Sequence, residues 1–184
     1  GLKFTWCVIS GRVGSDGSTW ANFQTLAASG HRMQSHTITH LTSITEDWPG
    51  IAWEYNGSKT NIEAQVPGSD VMVLAYPGGY QNPSTPYSTN NDRFVAAQYY
   101  IAARGVVGTP NKANQIDYFN TASVGNGTGR GYTDAILYGT SSISWLNNNL
   151  YLRGWLCTHF HNVTNSSQAQ TWADDLAYIA TLTN

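Results

Sequence analysis

Short apolar runs, rich in aromatic and β-branched residues, alternate with helix-length segments along most of this chain, and that alternation restricts the fold more than any other feature. Parallel strands cannot be joined by a tight turn; each needs a crossover long enough to hold a helix. Leu2 to Ser10 predicts a buried strand, and Gly11 to Gly17 a turn-rich loop. Ser18 is expected to cap a helix running to about Ser29, with Trp20, Phe23, Leu26 and Ala27 on one face and Gly30 as its stop. The histidine-rich segment that follows reads as a short strand leading into a loop. Between Gly50 and Val66, Ile51, Tyr55, Ile62 and Val66 recur at helical spacing, ahead of Pro67-Gly68. Val71 to Tyr76 predicts a strand, about Asn91 to Gln98 a helix, and Tyr100 to Ala103 the next strand. Six glycines within 105–131 predict a long irregular loop. A helix over about Ser141 to Leu150, a strand from Leu152 to Phe160 and a helix over about Ser167 to Leu182 complete the series. The expectation is one α/β domain over residues 1–184, with a parallel sheet or barrel.

Charge narrows the partners. A net charge of −2 with nine scattered Lys and Arg leaves no basic patch of the kind that tracks a phosphate backbone, so nucleic acid is not expected. No apolar run approaches the roughly 20 residues that span a bilayer. Only 11% of residues are charged, while hydroxyl and aromatic side chains abound, which suits an extracellular or periplasmic protein in contact with sugars. The chain does not begin with Met, so a processed or excised form is expected. Cys7 and Cys157 both sit in strand-like runs; buried thiols and a bridge between strands are both compatible with that.

In parallel α/β architectures, sites form at the carboxyl ends of strands. Three predicted strand ends carry unusual residues. At the first, His36 and His40 stand four apart, and neutral imidazole is the commonest nitrogen ligand for zinc. Thr37 stands where a helical zinc-protease motif would need glutamate, and the β-branched 37–39 run disfavours a helix. At the second, Tyr76-Pro77-Gly78-Gly79 allows close backbone approach and can aim an N–H at a ligand. The third is His159-Phe160-His161. Each alone also fits an ordinary turn or a satisfied histidine; their recurrence at strand ends points to a site.

The order of these motifs resembles the polysaccharide deacetylase family, the NodB-like domains. Gly30-His31 leading to His36-Thr-Ile-Thr-His40 looks like that family's second motif, and Ala75-Tyr76-Pro77-Gly78-Gly79 like a variant of its third. Tyr100-Ile-Ala-Ala-Arg104 is similar to the strand whose arginine supports the catalytic carboxylate, and Trp155 to His161 to the final motif. The resemblance implies a distorted (β/α) barrel and a metal-dependent hydrolase that removes N- or O-acetyl groups from a polysaccharide. A divalent ion, zinc by preference, would sit on His36, His40 and an aspartate and polarise the acetyl carbonyl. A second carboxylate would deprotonate water, the Gly78 N–H would help hold the oxyanion, and His161 would protonate the leaving group.

The family's first motif, an Asp-Asp strand, has no counterpart ahead of Leu2, and the one Asp-Asp pair, Asp174-Asp175, falls on a predicted helix. The resemblance therefore implies a barrel whose first strand is missing from this chain. A complementing strand is expected, from a cleaved N-terminal piece or a neighbouring subunit. The competing expectation is a catalytically inactive deacetylase-like domain acting in carbohydrate binding or in extracellular assembly by strand donation.

Overall fold

The computed structural model describes residues 3–40, 48–79, 92–106, 111, 115–125, 155, 157–161 and 165–181. They fall into two compact units. The first is built from Lys3–Gly105 and Asp117–Thr121, the second from Val106–Ile116 and Ala122–Asn184.

The first unit carries a four-stranded parallel sheet in the order β1-β2-β3-β4, with β1 Thr5–Val8, β2 Arg32–Ser35, β3 Val73–Ala75 and β4 Ala102–Arg104. Three helices, α1 Trp20–Ala28, α2 Trp48–Gln65 and α3 Asp92–Tyr99, make the crossovers. All strands run the same way, so their carboxyl ends lie along one edge of the sheet.

Local chemistry explains the boundaries. Thr19, not the expected Ser18, caps α1: its hydroxyl accepts from the Asn22 amide, and the Asn22 side chain accepts from the Thr19 amide. Ser18 is instead drawn to Asp16, donating its hydroxyl at 2.6 Å. At the far end Gly30 (φ 89°) donates to Ala27 and His31 to Leu26, the paired bonds of a left-handed glycine stop.

Val8, Met33, Ile51, Tyr55, Ile62, Val66, Val71, Leu74, Tyr76, Val95 and Ala103 form the core, with Trp20, Phe23, Leu26 and Ala27 of α1 packed against it. Strand β1 corrects the expectation of a buried strand. Thr5 and Trp6 are exposed and Val8 is buried, because β1 lies at the end of the strand order. Between β2 and β3 the ladder is short, and the buried Gln34 extends it. Its amide group donates to the Asp70 carbonyl and accepts from the Met72 and Val73 amides. The outer edge of β4 is covered by residues 117–121, through Ala103 to Tyr118 and Gly105 to Thr121 backbone bonds. Among the described residues β1 pairs on one side only, with β2.

The second unit pairs β5 Val124–Gly125 with β6 Thr158–His159 in parallel and carries a helix, α4, over Ser166–Thr181. The predicted loop over 105–131 thus contains a short strand. An antiparallel bridge joins Asn111 to Trp155, and the Asn111 side chain brackets Ala122 from both sides. The expected helix over 141–150 lies outside the described residues. No described helix is long and apolar enough to cross a membrane.

Candidate functional site

The carboxyl ends of β1 to β4 bring together Ser10-Gly11, His36-Thr37-Ile38-Thr39-His40, Tyr76-Pro77-Gly78-Gly79 and Arg104. His36, 9% exposed, leaves β2 with its amide bonded to the Val8 carbonyl. Its Nδ1 lies 2.7 Å from the Ala75 carbonyl oxygen. A carbonyl only accepts, so Nδ1 carries the proton and Nε2 keeps the lone pair that a metal needs. The ring of His40 meets that of His36 edge to face, with centroids 4.7 Å apart.

The turn carrying both rings is held from all sides. Thr37 (φ 67°) and His40 (φ 66°) take left-handed backbone conformations, which a β-branched residue such as threonine resists. Every backbone amide from Thr37 to His40 ends on a side-chain oxygen. Thr37 donates to the Ser35 hydroxyl, Ile38 and Thr39 donate to the Glu54 carboxylate at 2.8 and 3.0 Å, and His40 donates to the Thr37 hydroxyl. The carbonyls are answered too, Thr37 by the Ser10 amide at 3.1 Å and Ile38 by the Gly11 amide at 3.0 Å. Gly11 is needed for that approach: a Cβ there would stand 2.7 Å from the Ile38 oxygen. Ser35 is itself fixed by the Ser58 hydroxyl of α2 at 2.9 Å.

Glu54 and Ser58 are the residues that sequence reasoning missed. They lie between Ile51, Tyr55 and Ile62 on the same helical stripe, and all are buried. A carboxylate and a hydroxyl on an otherwise apolar stripe were the available signal.

Gly78 follows β3 with φ 68°, and Gly79 (φ 93°) donates to the Tyr76 carbonyl, closing a tight turn. Arg104 ends β4; its guanidinium donates to the Gly105 carbonyl at 3.1 Å and neighbours the Cys7 thiol of β1. Burial pushes that thiol up from its ordinary value, and the neighbouring guanidinium only partly opposes the shift. Beneath the site, burial and the adjacent Asp92 carboxylate raise the Tyr55 phenol well above its ordinary value. Burial likewise raises Tyr100, whose hydroxyl donates to the Tyr55 carbonyl.

His159 and His161 belong to the second unit. Nδ1 of His159 lies 2.8 Å from the hydroxyl of the buried Ser123, and the rings of His159 and the exposed His161 meet edge to face at 5.5 Å. Asp174 is exposed on α4. Among the described residues no group of three His, Cys, Asp or Glu side chains is arranged to hold a metal. His36 and His40 fit such an ion as a pair of neutral nitrogen donors, and a complete set needs a further oxygen or nitrogen.

Residues 1–97 match the family model described as polysaccharide deacetylase. Over 125 residues the chain is 41% identical to a gellan lyase from a Bacillus species, a stretch that is 67% of this chain and 4% of that protein. The chain thus spans a small part of the curated relative it matches. Among solved structures it resembles a Streptococcus pyogenes deacetylase in complex with acetate, with a TM-score of 0.57 at 20% identity, covering 67% of this chain and 52% of that one. It also resembles the Xyl-CE4 domain of a multidomain xylanase from the hindgut metagenome of Trinervitermes trinervoides. That likeness has a TM-score of 0.54 at 19% identity and covers 98% of this chain and 71% of the other. At such identities the likeness is one of fold.

Proposed function

This chain belongs to the polysaccharide deacetylase family, and from that premise we propose that it is the core of a metal-dependent hydrolase removing acetyl groups from an extracellular polysaccharide. The observation that carries the reading is the His36–His40 turn: two edge-to-face imidazoles, one with its Nδ1 proton engaged by the Ala75 carbonyl, on a turn whose amides are all satisfied. His36 and His40 would hold a divalent ion, zinc by preference, which supplies Lewis acidity for an acetyl carbonyl. Around it the chain's own groups take the remaining parts. The Gly78 N–H is the proposed donor to the developing oxyanion, and the left-handed turn at Gly78 and Gly79 sets its direction. His161 is the proposed general acid for the leaving group. Arg104 is the proposed partner of a catalytic carboxylate, its guanidinium standing at the end of β4.

The carboxylates that the chemistry requires are proposed to come from outside residues 1–184, on a strand added beside β1. Two observations support this. The edge of β4 is covered by residues 117–121, whereas among the described residues β1 pairs only with β2. Trp6, 43% exposed, also leaves apolar surface at that edge. The strand would complete a distorted (β/α) barrel. The match to a small part of a gellan lyase supports a chain that works on a polysaccharide within a much larger protein. Low charge and abundant aromatic residues support secretion.

One observation favours the second reading, an inactive deacetylase-like domain that binds carbohydrate or assembles by strand donation: among the described residues no third metal-binding side chain joins the pair. Acetate release separates the two. The protein carrying this chain, incubated with acetylated polysaccharide and zinc, should release acetate, lose that ability on chelation and regain it with zinc. Carbohydrate binding with no acetate release under any metal would establish the second reading.

A further inference from the structure

We infer that Glu54 is the positioning residue of the histidine pair, its carboxylate fixing the one turn conformation in which His36 and His40 present their rings together. This rests on the reading of that pair as a metal site.

The turn cannot hold itself. Residues 37–40 lie outside both ladder and helix, so their amides have no regular backbone acceptor, and the left-handed Thr37 and His40 would relax if those amides were released to water. Glu54 supplies what is missing from a rigid element. One oxygen accepts from both the Ile38 and Thr39 amides, and the other accepts from the Thr39 hydroxyl. These contacts sit between the two histidines, where a small rotation would swing one ring away from the other. Glu54 is 3% exposed, and neither ion pair found among the described residues involves it. Buried carboxyl oxygens need hydrogen-bond donors, and the donors that answer these belong to the histidine turn. An apolar residue would fill this position on the α2 stripe equally well if packing were its purpose. With its oxygens engaged by turn donors, Glu54 acts through the histidines and takes no part in a three-ligand group.

The test uses cobalt(II) as the probe, titrated into the full chain and followed by its visible absorption band, with His36→Ala marking the specific signal. Glu54→Ala is expected to weaken binding by about 10- to 100-fold and to alter the band, the range seen when a group orienting a metal ligand is removed. Circular dichroism should stay that of the wild type. Glu54→Gln keeps one carbonyl oxygen for both amides and an NH2 for the Thr39 oxygen, so it should stay within a few-fold of wild type. Thr39→Val, at an exposed residue, removes one contact only and should weaken binding about threefold; it decides the matter if Glu54→Ala does not fold. Wild-type affinity and band in Glu54→Ala, or in Thr39→Val where the former is unfolded, would overturn the inference and leave the metal site standing. Absence of His36-dependent cobalt binding in the wild type would instead overturn the metal site, and the positioning role with it.

Discussion

The molecule holds two histidine pairs, and they are supported in opposite ways. His36 and His40 sit on a turn whose amides all end on side chains and whose carbonyls meet the Ser10 and Gly11 amides. His159 and His161 sit at the end of a two-residue strand, with Ser123 bonded to the first ring and the second exposed. The contrast matches the work proposed for each. A ligand pair must be held in one geometry before the ion arrives, because ordering it afterwards would weaken binding. A proton donor must reach its leaving group and exchange with solvent, which an exposed ring can do.

Replacing either ring of the clamped pair should break the comparison most severely. His36→Ala or His40→Ala should lower acetate release by about 10³-fold, the loss of a Lewis acid worth several kcal/mol. His36→Ala should also cost about 1–3 kcal/mol in urea unfolding, because it removes a buried ring bonded to the Ala75 carbonyl. His161→Ala should lower the turnover number by about 10²-fold while leaving metal content at the wild-type level; metal loss in that variant would erase the division between the pairs. Gly11→Ala tests the clamp from the β1 side. Its Cβ would stand 2.7 Å from a backbone oxygen that cannot swing away, and about 1–3 kcal/mol of stability should be lost in denaturant unfolding. His159→Ala should cost about 1 kcal/mol by removing one bond of the buried Ser123 hydroxyl, with no effect on cobalt affinity at the clamped pair.

The smallest effect concerns pH. Tyr55 and Tyr100 have phenols raised above the ordinary value of 10.0, so the unfolded chain releases those protons first as pH climbs. The stability they contribute is complete below that value and falls above it, and unfolding midpoints should decline as pH passes about 10. A flat profile across that range would contradict the buried, protonated tyrosines beneath the clamped turn.

Much of the first unit was legible from residue pattern because its periodicity is strong. Ile51, Tyr55, Ile62 and Val66 announce α2, and apolar runs announce β3 and β4. The position of β1 was less legible, since a hydrophobic run does not say whether a strand is central or at an edge. The clamp was not read at all. Glu54 lies sixteen residues from Ile38 along the chain, and only the α2–β2 packing brings it to the turn amides. The Ser18-to-Thr19 shift of the α1 cap has a local cause, Asp16 competing for Ser18 and Asn22 closing a box with Thr19. Of the histidine pairs, the spacing at 36 and 40 was visible, whereas the bond between Ser123 and His159 joins distant positions that no spacing rule connects.

The central claim is that His36 and His40 share one ion. Crystals of the protein grown with zinc and measured at the zinc absorption edge would test it most directly. An anomalous peak about 2.0–2.1 Å from one nitrogen of each ring is the predicted result. A peak elsewhere, or none at this turn with both rings ordered as described, would contradict it.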